Sequence, residues 1–305
     1  MTDQAGEHRS AVVALLIATL SFAVMDMALK LLADHYPTPQ VVMIRALASL
    51  PLILLVTTFF GGFRQLRTRR WRMHLLRGLL GIVMLNLVVF SFQRLTLAQA
   101  YTMFFTGPLF ITLLSIPLLK EKVGRHRWTA VAIGFCGVLV SVNPQGPGLI
   151  SIGSAAALLA ASMYAIIALT MRALGSTESS LNISFYFMLA LGFGSGLMAI
   201  PTWQPLDLAH VHLYLMTGIS GTAGMVALAT AFRKAQASAI APFEYSAMLW
   251  VVLLDWLVWG TLPGLRLYMG AAIIIAAGIY ILRREASVAR NSALPVLGDE
   301  ENIDS

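Results

Sequence analysis

The sequence predicts an all-α integral membrane protein whose ten transmembrane helices form two inverted five-helix repeats. Three observations lead there. Of its 305 residues, 58% are hydrophobic and only 11% charged, with a mean hydropathy of +0.78, whereas a soluble domain carries roughly a quarter charged residues. Apolar runs of membrane-crossing length, about 20 residues each, recur along the whole chain. The third observation is an internal repeat that returns after about half the chain, with an odd number of spans between equivalent positions.

The spans follow in order. MTDQAGEHRS (1–10) is polar and reads as a cytoplasmic N-terminus; the apolar run after it is too long for a signal peptide. Charge, proline and glycine clusters then bound runs at 11–32, 40–60, 73–92, 97–119, 128–142, 150–171, 182–200, 211–232, 238–259 and 267–282. The fifth is short, which a thinned bilayer or a small tilt accommodates. Residues 284–305 are polar with an acidic finish and read as a disordered cytoplasmic tail.

Charge orients these spans. With the N-terminus inside, 16 of the 21 Lys and Arg residues fall in cytoplasmic segments. Only Arg94 and Arg266 fall outside, while Lys30, Arg45 and Arg77 lie within spans. That asymmetry places both termini in the cytoplasm. The formal net charge of +7 is therefore a topology signal, and no nucleic-acid partner is expected. The one cysteine, Cys136, lies in an apolar run and reads as a buried structural thiol.

The repeat lays 94–140 over 233–281: a basic residue, a small-residue cluster, a proline within an apolar helix, a polar turn and a glycine-spaced helix recur in both. Five spans separate equivalent positions, so the second half enters the membrane with opposite polarity. Inverted repeats are the architecture of many secondary transporters, with the substrate site between the halves near the midplane. Residues 11–142 form one repeat and 143–283 the other.

GPLFITLLSIPLLKEKVGRHRW, closing the fourth span, and APFEYSAMLW, opening the ninth, resemble the two domains of the drug/metabolite transporter superfamily in its EamA-type branch. The resemblance covers about residues 10–283. It implies ten helices around a central cavity lined mainly by spans 1, 3, 4, 6, 8 and 9, and carriage of small organic metabolites. Glu121 stands where the family has an acid after the fourth span, but the equivalent place after the ninth is Thr261. A structural loop role for Glu121 follows from that asymmetry.

Charges inside the membrane are costly and find partners or a cavity. Asp26 lies roughly 9 Å below the outer end of the first span, and Arg45 of the second lies at a similar depth; Lys30 is one turn above Asp26. Asp26 and Arg45 either tie the first two spans together or face the cavity and handle a substrate's charges. Glu244 lies about 8 Å from the inner end of the ninth span, just after Pro242, whose ring frees the Ser238 carbonyl. His74 and Arg77 of the third span share its level, so an inner gate of Glu244 with Arg77 and His74 stands beside a proton-coupling role for Glu244. Asp255 and Arg266 read as interfacial.

Tyr101, Phe104 and Phe105 precede Pro108 in the fourth span; Tyr164, Tyr245, Trp250 and Asn86 add aromatic and amide surface. Together they suit a pocket for flat or apolar groups with a few hydrogen bonds. Asp26, Arg45, Asn86, Tyr101, Phe104, Tyr164, Tyr245 and Trp250 are the substrate-site candidates. The glycines of spans 7, 8 and 10 read as close helix packing. His210 and His212 form an HxH pair without a third ligand type, so surface histidines are expected rather than a metal site. No nucleotide loop or hydrolase motif occurs, which speaks against an enzyme and against a cofactor.

The expected function is export of amino acids or similar metabolites, aromatic ones included, across the inner membrane by alternating access. The alternative is uptake of a vitamin or cofactor such as riboflavin or S-adenosylmethionine. Partners reduce to a small-molecule substrate and the bilayer, the chain acting as a monomer or weak homodimer.

Overall fold

The computed structural model describes residues 2–59, 62–119, 125–141, 151–174, 178–234 and 241–292. Glu121, Pro147 with the rest of 142–150, and the acidic end 293–305 lie outside the described residues. The helices are α1 (Thr2–Ala33), α2 (Thr38–Phe59), α3 (Trp71–Phe92), α4 (Leu97–Phe104), α5 (Gly107–Leu119), α6 (Arg125–Ser141), α7 (Ile152–Leu174), α8 (Ser180–Ala199) and α9 (Val211–Lys234). A 3-10 turn over Ala241–Ser246 then leads into α10 (Ala247–Trp259), and α11 (Leu265–Ser292) closes the fold.

Among the described residues seven stretches are long and apolar enough to cross a membrane, one of them, Leu97–Ile116, formed by α4 and α5 together; the apolar stretches Trp128–Ser141 and Leu265–Tyr280 are shorter. Rows such as Leu75, Leu79 and Val83 on α3, or Leu249, Leu253 and Trp256 on α10, stand exposed. At helical spacing these are faces turned to lipid rather than water.

The C-terminal end departs from expectation: α11 runs to Ser292, into the stretch read as a disordered tail, while α1 begins at Thr2, within the polar N-terminal stretch. Polarity at a helix end does not forbid helix where the residues are good formers, as in RREASVAR. Cys136 is a further correction: it is exposed on α6, because the small face of that helix, Gly137 included, turns toward α11 instead.

Helices of the first repeat pack mainly on helices of the second, in matched pairs. α1 lies on α9 as α3 lies on α7; α2 lies on α9 as α3 lies on α8; α1 touches α10 as α4 touches α7; α2 with α8 and α6 with α11 complete the set. Exchanging the repeats turns each pairing into another on this roster, as a pseudo-two-fold axis requires. Close approach makes it possible: a methyl on Gly218 would fall 2.5 Å from the Ala48 carbonyl oxygen, and one on Gly270 2.6 Å from that of Gly137.

Two spans are broken. The fourth is interrupted at residues 105–106 between α4 and α5, and the described part of the ninth opens with the 3-10 turn Ala241–Ser246 before α10. These positions correspond in the repeat. Pro108 lacks the N–H that would continue the ladder across the first break.

α4 starts within the bundle, so its first N–H groups need acceptors. Thr96 and Gln99 cap it reciprocally, at 3.2 and 3.0 Å, and the Asp255 carboxylate accepts from Leu97 N (3.0 Å) and Ala98 N (2.8 Å). Asp255 is 1% exposed, so the interfacial reading fails: the carboxylate is an N-terminal cap supplied by the other repeat. Lys30 neither pairs with Asp26 nor reaches outward. Its ammonium donates to the carbonyls of Phe92 and Leu95 at the end of α3, a favourable place for a cation, with Asp255 and the Trp259 ring close by.

Candidate functional site

The first cluster joins three helices of the first repeat. The Tyr101 hydroxyl of α4 donates to Asp26 Oδ2 of α1 at 2.7 Å. Arg45 of α2 is close enough to act electrostatically on both Asp26 and Tyr101. Asp26 and Arg45 are only half-buried although protein surrounds them on every side. Side chains that are deep and yet not covered line an internal cavity.

The second cluster comes from the other repeat. Tyr164 of α7 is 52% exposed but equally deep; its ring edge lies where a side chain on Gly107 would touch it, at 3.4 Å. Glu244, in the 3-10 turn, acts on both Tyr164 and Tyr245. Glu244 is exposed although it lies deep among the helices.

A row of rings links the clusters. Tyr101 meets Phe105 edge-on at 6.1 Å and Phe105 meets Tyr245 edge-on at 5.0 Å. Phe105 sits at the break of the fourth span and Tyr245 in the irregular start of the ninth. The two discontinuities therefore touch through their aromatic rings, the place where inverted-repeat carriers build a site from interrupted helices. Gly278 of α11 makes room for this contact, since a methyl there would fall 1.8 Å from the Tyr245 hydroxyl oxygen.

Other candidates are placed elsewhere. Asn86 donates to Ile82 O (2.8 Å) and Ser195 Oγ (3.2 Å), tying α3 to α8 rather than facing the cavity. Phe104 packs between Phe92 and Tyr101, one layer behind the row. The Trp250 indole donates to Thr19 Oγ1 at 3.1 Å, and Thr19 shares a hydrogen bond with Ser246 at 3.0 Å; this is the α1–α10 seam.

The inner pair of Glu244 with Arg77 is not formed. Arg77 and His74 are both 5% exposed and lie in the α3–α8 interface, His74 tilted against Tyr186 at 4.8 Å and Arg77 over Phe187 at 5.8 Å. Arg77 sits near the start of α3, on the face that packs against α8. Among the described residues no cation acts on Glu244.

Phe105 is the residue that ranking by chemistry passes over in favour of Phe104; the adjacent Pro108, which predicts the break, is the signal for it. At the outer end, Tyr36 bonds His210 Nδ1 (2.9 Å) and Tyr214 (2.6 Å), and His35 stacks on His210 at 4.2 Å. Gln40, fully buried, exchanges hydrogen bonds with the Gln204 backbone. Nothing in the sequence pattern marks that outer latch.

Comparison with known proteins adds to this geometry. A sequence model of the EamA-like transporter family matches residues 9–143 and again 151–283. A riboflavin transporter of Vibrio cholerae serotype O1 is 29% identical over 280 residues, covering 90% of this chain and 94% of its own. A riboflavin transporter of Rhizobium johnstonii is 30% identical over 236 residues, covering 76% and 77%. An S-adenosylmethionine uptake transporter of Rickettsia prowazekii is 24% identical over 289 residues, covering 93% and 96%. One crystal structure superimposes with a TM-score of 0.57 at 18% identity over 92% of this chain and 99% of that one, a likeness of fold alone.

Proposed function

The chain belongs to the EamA-like transporter family, and on that premise we propose that it is an uptake carrier for riboflavin or a close flavin relative. The observation that carries this is the aromatic row Tyr101–Phe105–Tyr245 between two helix breaks, with polar groups at both ends. Riboflavin has the matching form: a flat tricyclic ring with a hydrogen-bonding edge, and a hydroxylated chain. The ring lies against the aromatic row, and the chain's hydroxyls meet Glu244 and Tyr164.

Relatives named for riboflavin and for S-adenosylmethionine favour the vitamin or cofactor arm of the sequence reading over amino-acid export. S-adenosylmethionine stays as a second reading because Glu244, with no cation beside it among the described residues, suits a substrate of net positive charge. Inward direction is supported by the Rickettsia prowazekii relative, an S-adenosylmethionine uptake transporter.

The carrier works by alternating access in the inner membrane with both termini cytoplasmic, on the basic-residue asymmetry. It acts as a monomer or weak homodimer and moves its substrate chemically unchanged. Expression in a riboflavin-requiring bacterium that lacks a flavin carrier tests the reading. Growth at riboflavin concentrations that fail to support the parent strain is expected. No rescue from protein that reaches the membrane, together with uptake of S-adenosylmethionine by the same cells, would replace the first reading with the second.

A further inference from the structure

We propose that Asp26 and Arg45 read the imide edge of the flavin ring, Asp26 accepting from its N3–H and Arg45 donating to a neighbouring ring carbonyl. This rests on the flavin reading above and identifies which end of the substrate each pole of the cavity holds.

The donor and acceptor inventory leads to it. One Asp26 oxygen is committed to Tyr101 at 2.7 Å; the other accepts no hydrogen bond from any described residue. Arg45 donates to none of them either, and its Nε is buried without a partner. A carboxylate only accepts and a guanidinium only donates. The pair presents, side by side across a gap, one acceptor that needs a donor and one donor group that needs acceptors. Leaving such groups unmet in a low dielectric is costly, so a ligand that meets both gains on each.

An imide, –CO–NH–CO–, is complementary: its N–H lies between two carbonyls along one edge. A zwitterionic amino acid also offers a donor and an acceptor, and the geometry of Tyr101 separates the two. The same tyrosine bonds Asp26 through its hydroxyl and begins the aromatic row through its ring. The polar pole and the aromatic wall are therefore contiguous, and the ligand's polar edge has to be continuous with its flat surface. That holds for a flavin imide and fails for an amino acid, whose zwitterion is joined to its ring through saturated atoms; the adenine edge of S-adenosylmethionine sets an amino donor beside a single ring acceptor rather than between two carbonyls, and direct binding separates it from the flavin.

The experiment is binding of riboflavin and N3-methylriboflavin to the full chain in nanodiscs, read by quenching of flavin fluorescence, for wild type and Asp26→Asn. In wild type the methylated compound should bind about 10- to 100-fold more weakly, the worth of a hydrogen bond to a charged group. In Asp26→Asn, with Tyr101 holding the amide oxygen, an N–H faces the ligand's N–H. Riboflavin should weaken there while N3-methylriboflavin changes little, so the gap between them closes. Equal binding of the two flavins in wild type overturns the inference and leaves the flavin carrier standing. An undiminished gap in Asp26→Asn means steric rejection of the methyl group and overturns it as well. Binding of neither flavin, with binding of S-adenosylmethionine, overturns both readings. If Asp26→Asn does not fold, the wild-type comparison is joined by Tyr101→Phe, which should weaken riboflavin and narrow the gap by freeing Asp26 from its anchor.

Discussion

At the scale of single residues, space and unpaired charge decide what the site can do. Gly278 is the tightest of the described glycines: the Tyr245 hydroxyl occupies the volume of a missing methyl. Gly278→Ala has to push Tyr245 off Phe105 or strain α11, an overpacking cost of about 1–3 kcal/mol. Riboflavin quenching should weaken in this variant, and Gly278→Ala combined with Tyr245→Phe should recover part of it in the same assay. Glu244 is the second such residue. Pairing with Arg77 would hold it ionised and make transport blind to pH, but Arg77 faces Phe187 and His74 instead. Among the described residues the groups on which Glu244 acts are Tyr164 and Tyr245, neither of which neutralises a carboxylate. The proton-coupled reading gains from that. In liposomes an imposed pH gradient, acid outside, should drive accumulation in wild type and not in Glu244→Gln. Accumulation that ignores the gradient in both would leave Glu244 as a binding residue only.

At the scale of elements, the outer half is held by charges set on helix ends. Asp255 of α10 caps α4, Lys30 of α1 caps α3, and the two act on each other across the repeats. Asp255→Ala leaves two buried N–H groups unmet, at about 1–3 kcal/mol, and should lower the unfolding temperature in detergent. Lys30→Met should do likewise, and the double variant should lose less than the two losses added, because each single change strands the other charge. Strictly additive losses would mean that the two caps act independently. None of this is legible in the sequence. Asp255 lies near a span end, where composition reads it as wetted, and only the fold shows that α4 begins beneath it. The helix breaks were half legible: Pro108 and Pro242 announce irregular backbone, but not that Phe105 and Tyr245 meet.

At the scale of the whole molecule, hydropathy and the repeat carry most of the architecture because both are properties of long segments. Twenty-residue apolar runs survive errors of a few residues at their ends, and an odd offset alone inverts the second repeat. The partners of single buried polar groups depend on helix rotation, which a run that is apolar on most faces does not encode. Asp26 stands out in the sequence because a charge within a span is costly and Tyr101 as one of the aromatics before Pro108, but that the two bond each other, while Asn86, His74 and Arg77 turn to α8, depends on helix rotation. The two repeats meet in matched helix pairs, and on the proposed alternating-access mechanism rocking one against the other would carry a substrate held between the breaks across the membrane. Counterflow in liposomes reads that directly. Vesicles containing the full chain and preloaded with unlabelled riboflavin should take up external labelled riboflavin transiently above equilibrium, and Phe105→Ala with Tyr245→Ala should abolish the overshoot without loss of folded protein. Labelled riboflavin that only equilibrates, at the same rate in loaded and empty vesicles, would contradict carriage through a site between the two breaks.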